Sequence, residues 1–242
     1  ILLTGHTQTA FIAAIALALW RGGFVVLRLW RRRTGRVVIA VVSGLLPFGL
    51  GVVAAMVQLI PTLQLAQFST RSGGLPWREA VSFSVAPWLL PRVLLPPYLV
   101  TLHLPEGVAY LGISGLVLGG IGLGWGLYRR RLQDVGPALL VGGGVFLALG
   151  GYNPLYTLAV RLGVPGLVHF RAPARFLALA VAGGALCIGR GADVLAARLP
   201  PKGWGRRAGL AAVWLLSAAE LVGAGAFLPH ADATAPAAYT DL

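Results

Sequence analysis

The chain has 242 residues, of which 57% are hydrophobic and only 11% charged, and its formal charge is +13. A soluble domain carries about 25% charged residues, so this composition, with a mean hydropathy of +0.80, excludes an ordinary water-soluble globule and points to an all-α, polytopic membrane protein. The positive charge does not indicate a nucleic-acid partner, because the basic residues cluster in short stretches between apolar runs.

A membrane span needs about 20 mostly apolar residues. Six segments are expected to qualify: 2–29, 37–60, 108–127, 135–151, 173–188 and 208–228. The first carries Thr4-Gly5-His6-Thr7-Gln8 at one end and Arg21 at the other; the fifth is short enough to need residues from Phe170 onward. Residues 1–228 therefore read as a transmembrane domain, and the polar, Pro- and Ala-rich 229–242 as the start of an extracytoplasmic region. The chain opens inside an apolar run, without an initiator Met or a signal-peptide pattern, and is expected to be an internal stretch of a longer protein.

Charge bias orients the spans. Fourteen of the twenty basic residues fall at Arg21, in 28–36, in 128–134 and in 189–207, which makes those loops cytoplasmic by the positive-inside rule. The other six, Arg71, Arg78, Arg92, Arg161, Arg171 and Arg175, fall in two long outer loops. In the first of these, Gln58, Thr62 and Ser69 extend a polar stripe past Pro61, as a kinked continuation of the second span would. Pro76 is suited to a first helical position, and Trp77, Val81, Val85 and Trp88 mark one face of an amphipathic helix lying in the interface. Pro87, Pro91, Pro96 and Pro97 then break the chain. The second outer loop opens with a turn at Tyr152-Asn153-Pro154. An interfacial helix over 155–162 follows, ended by Pro165-Gly166.

The candidate chemistry lies on this outer side. Arg171 and Arg175, four apart, share one face if the segment is helical. A guanidinium fork matches phosphate oxygens, so the pair suits the phosphate of a lipid-linked substrate, although outer arginines also snorkel to ordinary lipid phosphate. Arg71, beside Ser69 and ahead of the flexible Gly73-Gly74, offers a third cation with hydroxyl donors, and His169 adjoins the pair. His6 and Gln8 form a polar pair in an apolar run, a placement that faces a bundle interior or a cavity. Glu79 and Glu106 are the outer-loop carboxylates. Either suits a general acid or base or a metal ligand, or more simply a partner for Arg78 or Arg92. The four histidines show no ligand spacing, so no metal is indicated. No phosphate-loop or dinucleotide motif implies a cofactor either. The glycine runs 119–120, 142–144 and 183–184 fit close helix packing. Cys187 lies in an apolar run as a small buried residue, and Glu220, the one acid deep in a span, is expected to be neutral or locally paired.

Three of these stretches, in order and at matching spacing, resemble the YfhO-type bacterial membrane proteins. They are Leu3-Thr4-Gly5-His6-Thr7-Gln8-Thr9, Gln58-Leu59-Ile60-Pro61-Thr62-Leu63 running on to Ser69-Thr70-Arg71, and Phe170-Arg171-Ala172-Pro173-Ala174-Arg175-Phe176. The resemblance implies a GT-C-like glycosyltransferase of the bacterial cytoplasmic membrane. Such an enzyme moves a sugar from a polyprenyl-phosphate donor to a cell-envelope polymer or glycolipid on the outer face. In that architecture the catalytic acid lies in the first outer loop, which the resemblance places upstream of residue 1, so no catalytic base carries over to these residues and the stretch alone is expected to be inactive. A transporter or flippase of the same lipid-linked sugar would use the same arginines, with a polar route through the spans. A non-catalytic membrane scaffold would need none of them.

Overall fold

A computed structural model describes residues 7–30, 35–68, 73–96, 109–129, 132–164, 166–199 and 204–227. Among the described residues the chain is all helical, without a strand. Its α-helices are α1 (Thr7–Trp30), α2 (Gly35–Ala54), α3 (Met56–Gln67), α4 (Trp77–Ala80), α5 (Leu90–Leu94), α6 (Ile113–Arg129), α7 (Leu132–Ala148), α8 (Pro154–Arg161), α9 (Leu177–Arg198) and α10 (Trp204–Gly225). Three stretches are long and apolar enough to cross a membrane: Thr7–Val26, Pro173–Arg198 and Ala208–Gly225. The pair Val41–Ala54 and Met56–Leu65, bent by 68°, makes a fourth if taken as one broken span. The expected count of six is not reached, because α6 and α7 have 17 residues each and fall just short of that length.

Glycine sets how closely the central helices approach. In a membrane, where burial of apolar area does not drive helices together, small residues that let backbones touch take over that role. On α6, Gly115, Leu118, Gly122 and Gly126 are buried along one face. Gly122 lies against the Cys187 carbonyl of α9, and Gly191 of α9 against the Leu118 carbonyl of α6, so that a methyl group at either would overlap backbone atoms. Where α9 meets α7, a Cβ at Gly183 would stand 2.7 Å from the Pro137 carbonyl oxygen. On the other side of α7, Gly136 receives Trp20 and Gly143 receives Leu19, both from α1. The order of packing is therefore α6 and α7 against α9, α1 against α7, α2 against α1, and α10 against α6.

Two sequence expectations change shape. The second span does continue past Pro61, but the chain turns at Ala55, between Gly51 and Pro61, and Pro61 itself sits inside α3. The amphipathic helix over Trp77–Trp88 does not form as one piece. It ends at Ala80, passes through a turn in which Phe83 takes a left-handed conformation (φ 58°), and resumes as a 3-10 turn at Pro87–Leu89. Most of its apolar face is nonetheless used: Ala80 and Val85, with Val93 of α5, join Ala148, Tyr156, Val160, Ala174, Phe176 and Leu177 in the best-buried cluster, Trp77 and Val81 pack against it, and Trp88 stays exposed. That core sits where the end of α7 meets the start of α9, under the segments the sequence reading assigns to the outer loops.

Candidate outer-face site

The outer core is closed by a clasp between α1 and the segment entering α9. Gln8, in the first turn of α1 and 7% exposed, uses both ends of its amide. Its Nε2 donates to the Arg171 carbonyl at 2.8 Å, and its Oε1 accepts from Arg175 Nη1 at 2.6 Å. An amide is suited to this because one planar group carries a donor and an acceptor. Phe11, one turn further on, fills the space beneath, with ring centroids 5.4 Å from Phe170 and 6.3 Å from Phe176. Gly166, at φ 90°, lies on the Phe11 ring with no room for a side chain.

Between the two arginines the backbone is not helical. Ala172 adopts the left-handed conformation (φ 64°, ψ 69°), and only Pro173–Phe176 turns as a 3-10 helix. The expectation that Arg171 and Arg175 share a helical face is corrected accordingly: Arg175 turns inward to Gln8, and Arg171 stays exposed. Among the described residues two non-glycines have positive φ, Phe83 and Ala172, and their segments are joined, since the Ala174 amide donates to the Phe83 carbonyl at 3.2 Å. Each such residue costs on the order of 1–3 kcal/mol and persists only where its surroundings hold it. Here the Gln8 clasp, buried Pro173 and Ala174, and Gly150 packed on Pro173 supply that support.

Neighbouring segments complete the platform. Leu75 donates to the Val168 carbonyl at 2.7 Å, and Gly74, at φ 86°, packs on Val168. This brings the Gly73-Gly74 end of the first outer loop to the second. Ser84 accepts from the Gly151 amide at 2.9 Å, and Asn153 caps α8 through Leu155 and Tyr156 while donating to Phe146. Tyr156, 3% exposed, packs on Phe176, and burial pushes its phenol pKa up to about 12. Arg161 stands over the Trp77 ring at 5.4 Å.

Of the sequence candidates, Gln8, Arg171 and Arg175 are thus brought together. His169 lies exposed in the same segment, its amide donating to Gly166. Glu79 is exposed on α4, with its carbonyl taken by the Ser82 hydroxyl. Arg71, Ser69, His6 and Glu106 lie outside the described residues. Glu79 is the one carboxylate of the described outer-loop segments.

A second polar cluster joins α10 to α6. Glu220 accepts from the Tyr110 hydroxyl, from the Ile113 amide at 2.8 Å and from Ser114 Oγ at 3.4 Å, while Ser114 and Ser217 hydroxyls meet at 2.8 Å. The carboxylate thereby satisfies an orphan N–H at the start of α6 from another helix. The sequence reading expected a neutral or locally paired group; Glu220 is paired instead across the fold, with the start of α6. The third cluster joins residues that the sequence reading placed in two separate basic loops, 128–134 and 189–207: Asp134 on α7 and Arg190 on α9 form an ion pair 3.1 Å apart.

These features define the class: an all-helical protein with several helices long and apolar enough to cross a membrane, capped at one end by a polar, arginine-bearing segment. No protein-family model matches the chain, and no curated protein or solved structure is detectably similar to it.

Proposed function

We propose that the protein is a GT-C-like glycosyltransferase of the bacterial cytoplasmic membrane. It would transfer a sugar from a polyprenyl-phosphate donor to a cell-envelope acceptor on the outer face. The observation that carries this reading is the disposition of Arg171: an exposed guanidinium on a backbone fixed by Gln8, at the outer end of a membrane-length helix. A phosphate arriving with its lipid would meet Arg171 and His169 there, with Arg175 behind them. The apolar wall of Leu177, Ala180 and Val181 begins two residues further on, where it borders a cavity of about 240 Å³ shared with α5, α6 and α7. As the sugar leaves, charge develops on the phosphate, and a preorganised guanidinium stabilises it. Glu79 is the carboxylate offered by the described outer loops for proton transfer.

The test uses the protein expressed from its full reading frame, in right-side-out and inverted vesicles, with a radiolabelled polyprenyl-phosphate sugar. The expected result is glycosidic transfer on the outer face, weakened by Arg171→Ala. Movement of intact donor across the bilayer without transfer would replace the reading with a transporter.

A further inference from the structure

Arg21 lies within α1, five residues short of the end of the apolar stretch Thr7–Val26. A charge at such a depth is costly among lipid chains and marks a position whose partner has to be found. Its stem crosses Gly44 of α2, where a Cβ would stand 3.3 Å from Arg21 Cγ, and its Nη1 donates to Ser43 Oγ at 3.3 Å. A guanidinium carries five N–H donors, so one long bond to a neutral hydroxyl leaves most of them, and the charge, unanswered. Among the described residues no carboxylate pairs with it; the ion pairs there are those of Arg190 with Asp134 and Asp193.

The same side chain borders a groove of about 400 Å³ between α1 and α2. Every other lining residue is apolar or glycine, among them Leu17 and Gly22 of α1 and Leu45 and Phe48 of α2. Leu45 and Phe48 are 64% and 42% exposed, so the groove is open along its side rather than closed into the bundle. From Arg21 it extends to Ala14, roughly 10 Å of helix rise. An apolar trough with one uncompensated cation on its wall is complementary to a molecule made of the same two parts, a hydrocarbon chain and an anionic phosphate. A free anion would leave the trough unfilled, and an uncharged chain would leave the guanidinium unmatched. We propose that the α1–α2 groove binds one anionic phospholipid, an acyl chain lying along Leu17, Gly22, Leu45 and Phe48 and the phosphodiester taking the free N–H donors of Arg21. This half of α1 leads into the basic stretch 28–36, where the charge pattern predicts the cytoplasmic leaflet, and anionic headgroups are concentrated in that leaflet. The site is independent of the outer-face reading, since none of its residues belongs to the Gln8 clasp.

The test is native mass spectrometry of the full chain in detergent, titrated with phosphatidylglycerol, phosphatidylcholine or glycerophosphate. The basic loops also attract phosphatidylglycerol, so variants of the groove carry the discrimination. Arg21→Gln, which keeps a donor for Ser43, should weaken the tightest phosphatidylglycerol on the order of tenfold, the worth of a charge-assisted hydrogen bond. Arg21→Lys should keep part of that affinity, because the charge remains and the fork is lost. Gly22→Leu directs a side chain into space with nothing within 4 Å, and leucine favours helix over glycine. It should therefore leave the fold intact while weakening phosphatidylglycerol and phosphatidylcholine alike. Glycerophosphate, which has the headgroup without the chains, should displace neither lipid. Phosphatidylglycerol affinity unchanged in Arg21→Gln, or unchanged in Gly22→Leu, would overturn the inference. Displacement by glycerophosphate would overturn it too, leaving a site for free phosphate in place of a lipid.

Discussion

Gln8 shows how far a single residue was readable. A polar side chain in an apolar run must face a partner rather than lipid, and the structure buries it in a clasp with the Arg171 carbonyl and Arg175. The partners could not be read, because the i, i+4 spacing of the two arginines argued for a common helical face. The left-handed Ala172 separates them instead, and no property of alanine announces that conformation. The two arginines consequently carry different duties, which mutation can resolve. Gln8→Leu removes the bonds to the Arg171 carbonyl and to Arg175, at about 1–3 kcal/mol in all, and should lower the thermal unfolding temperature in detergent. Arg171→Ala removes an exposed side chain and should leave unfolding within about 0.5 kcal/mol of the parent. It should nevertheless weaken binding of a polyprenyl-phosphate sugar by roughly tenfold or more, the worth of a charge-assisted hydrogen bond. Arg171→Lys should recover only part of that loss, because the planar fork is gone. Unchanged donor affinity in Arg171→Ala would reduce that side chain to a lipid anchor.

At the scale of the element, the glycine runs announced close packing, and the structure assigns them individually. Gly143 and Gly144 of the 142–144 run face α1 and α9, whereas Gly142 meets nothing within 4 Å; Gly119 faces Ile188, and Gly120 is open. Periodicity indicates that one face is packed, but which glycine occupies it depends on a helix rotation that the pattern of near-uniformly apolar residues does not fix. The failure of the Trp77–Trp88 helix has a related origin. Its apolar spacing is satisfied equally well by two short turns joined at Phe83, and Val85 donates to the Ala148 carbonyl rather than continuing a helix. The glycine assignment yields a paired expectation. Gly122→Ala and Gly191→Ala, where a methyl would overlap backbone, should each destabilise by about 1–3 kcal/mol, the usual range for overpacking a tight site. Gly120→Ala and Gly124→Ala, in open space on the same α6, should be neutral or stabilising, since alanine favours helix by about 1 kcal/mol over glycine. Thermal unfolding of the four variants in one detergent checks this, and equal effects across all four would refute the α6–α9 register.

For the whole molecule, hydropathy identified every long helix, but it could not count spans. Segments 108–127 and 135–151 are apolar enough, yet the helices they form are 17 residues long and packed by glycine into the centre. Conversely, α10 is of membrane length with only 6% of its window buried, and it is held to α6 through Glu220 and Ser217. The charge pattern predicts a direction. The ends of α6 and α9 that meet the 128–134 and 189–207 stretches lie together: Trp125 of α6 takes Arg129 at 4.7 Å and Arg198 of α9 at 5.9 Å over its ring. An aromatic flanked by arginines is the arrangement expected at the headgroup level of a cytoplasmic leaflet. Two exposed glycines with nothing within 4 Å of them, Gly73 and Gly205, allow the predicted orientation to be measured. In a Cys187→Ser background, Gly73→Cys should react with a membrane-impermeant maleimide in intact cells, and Gly205→Cys only after permeabilisation. The opposite pattern would place the Arg171 face in the cytoplasm, where the proposed acceptor is absent, and would overturn the transferase reading together with the orientation.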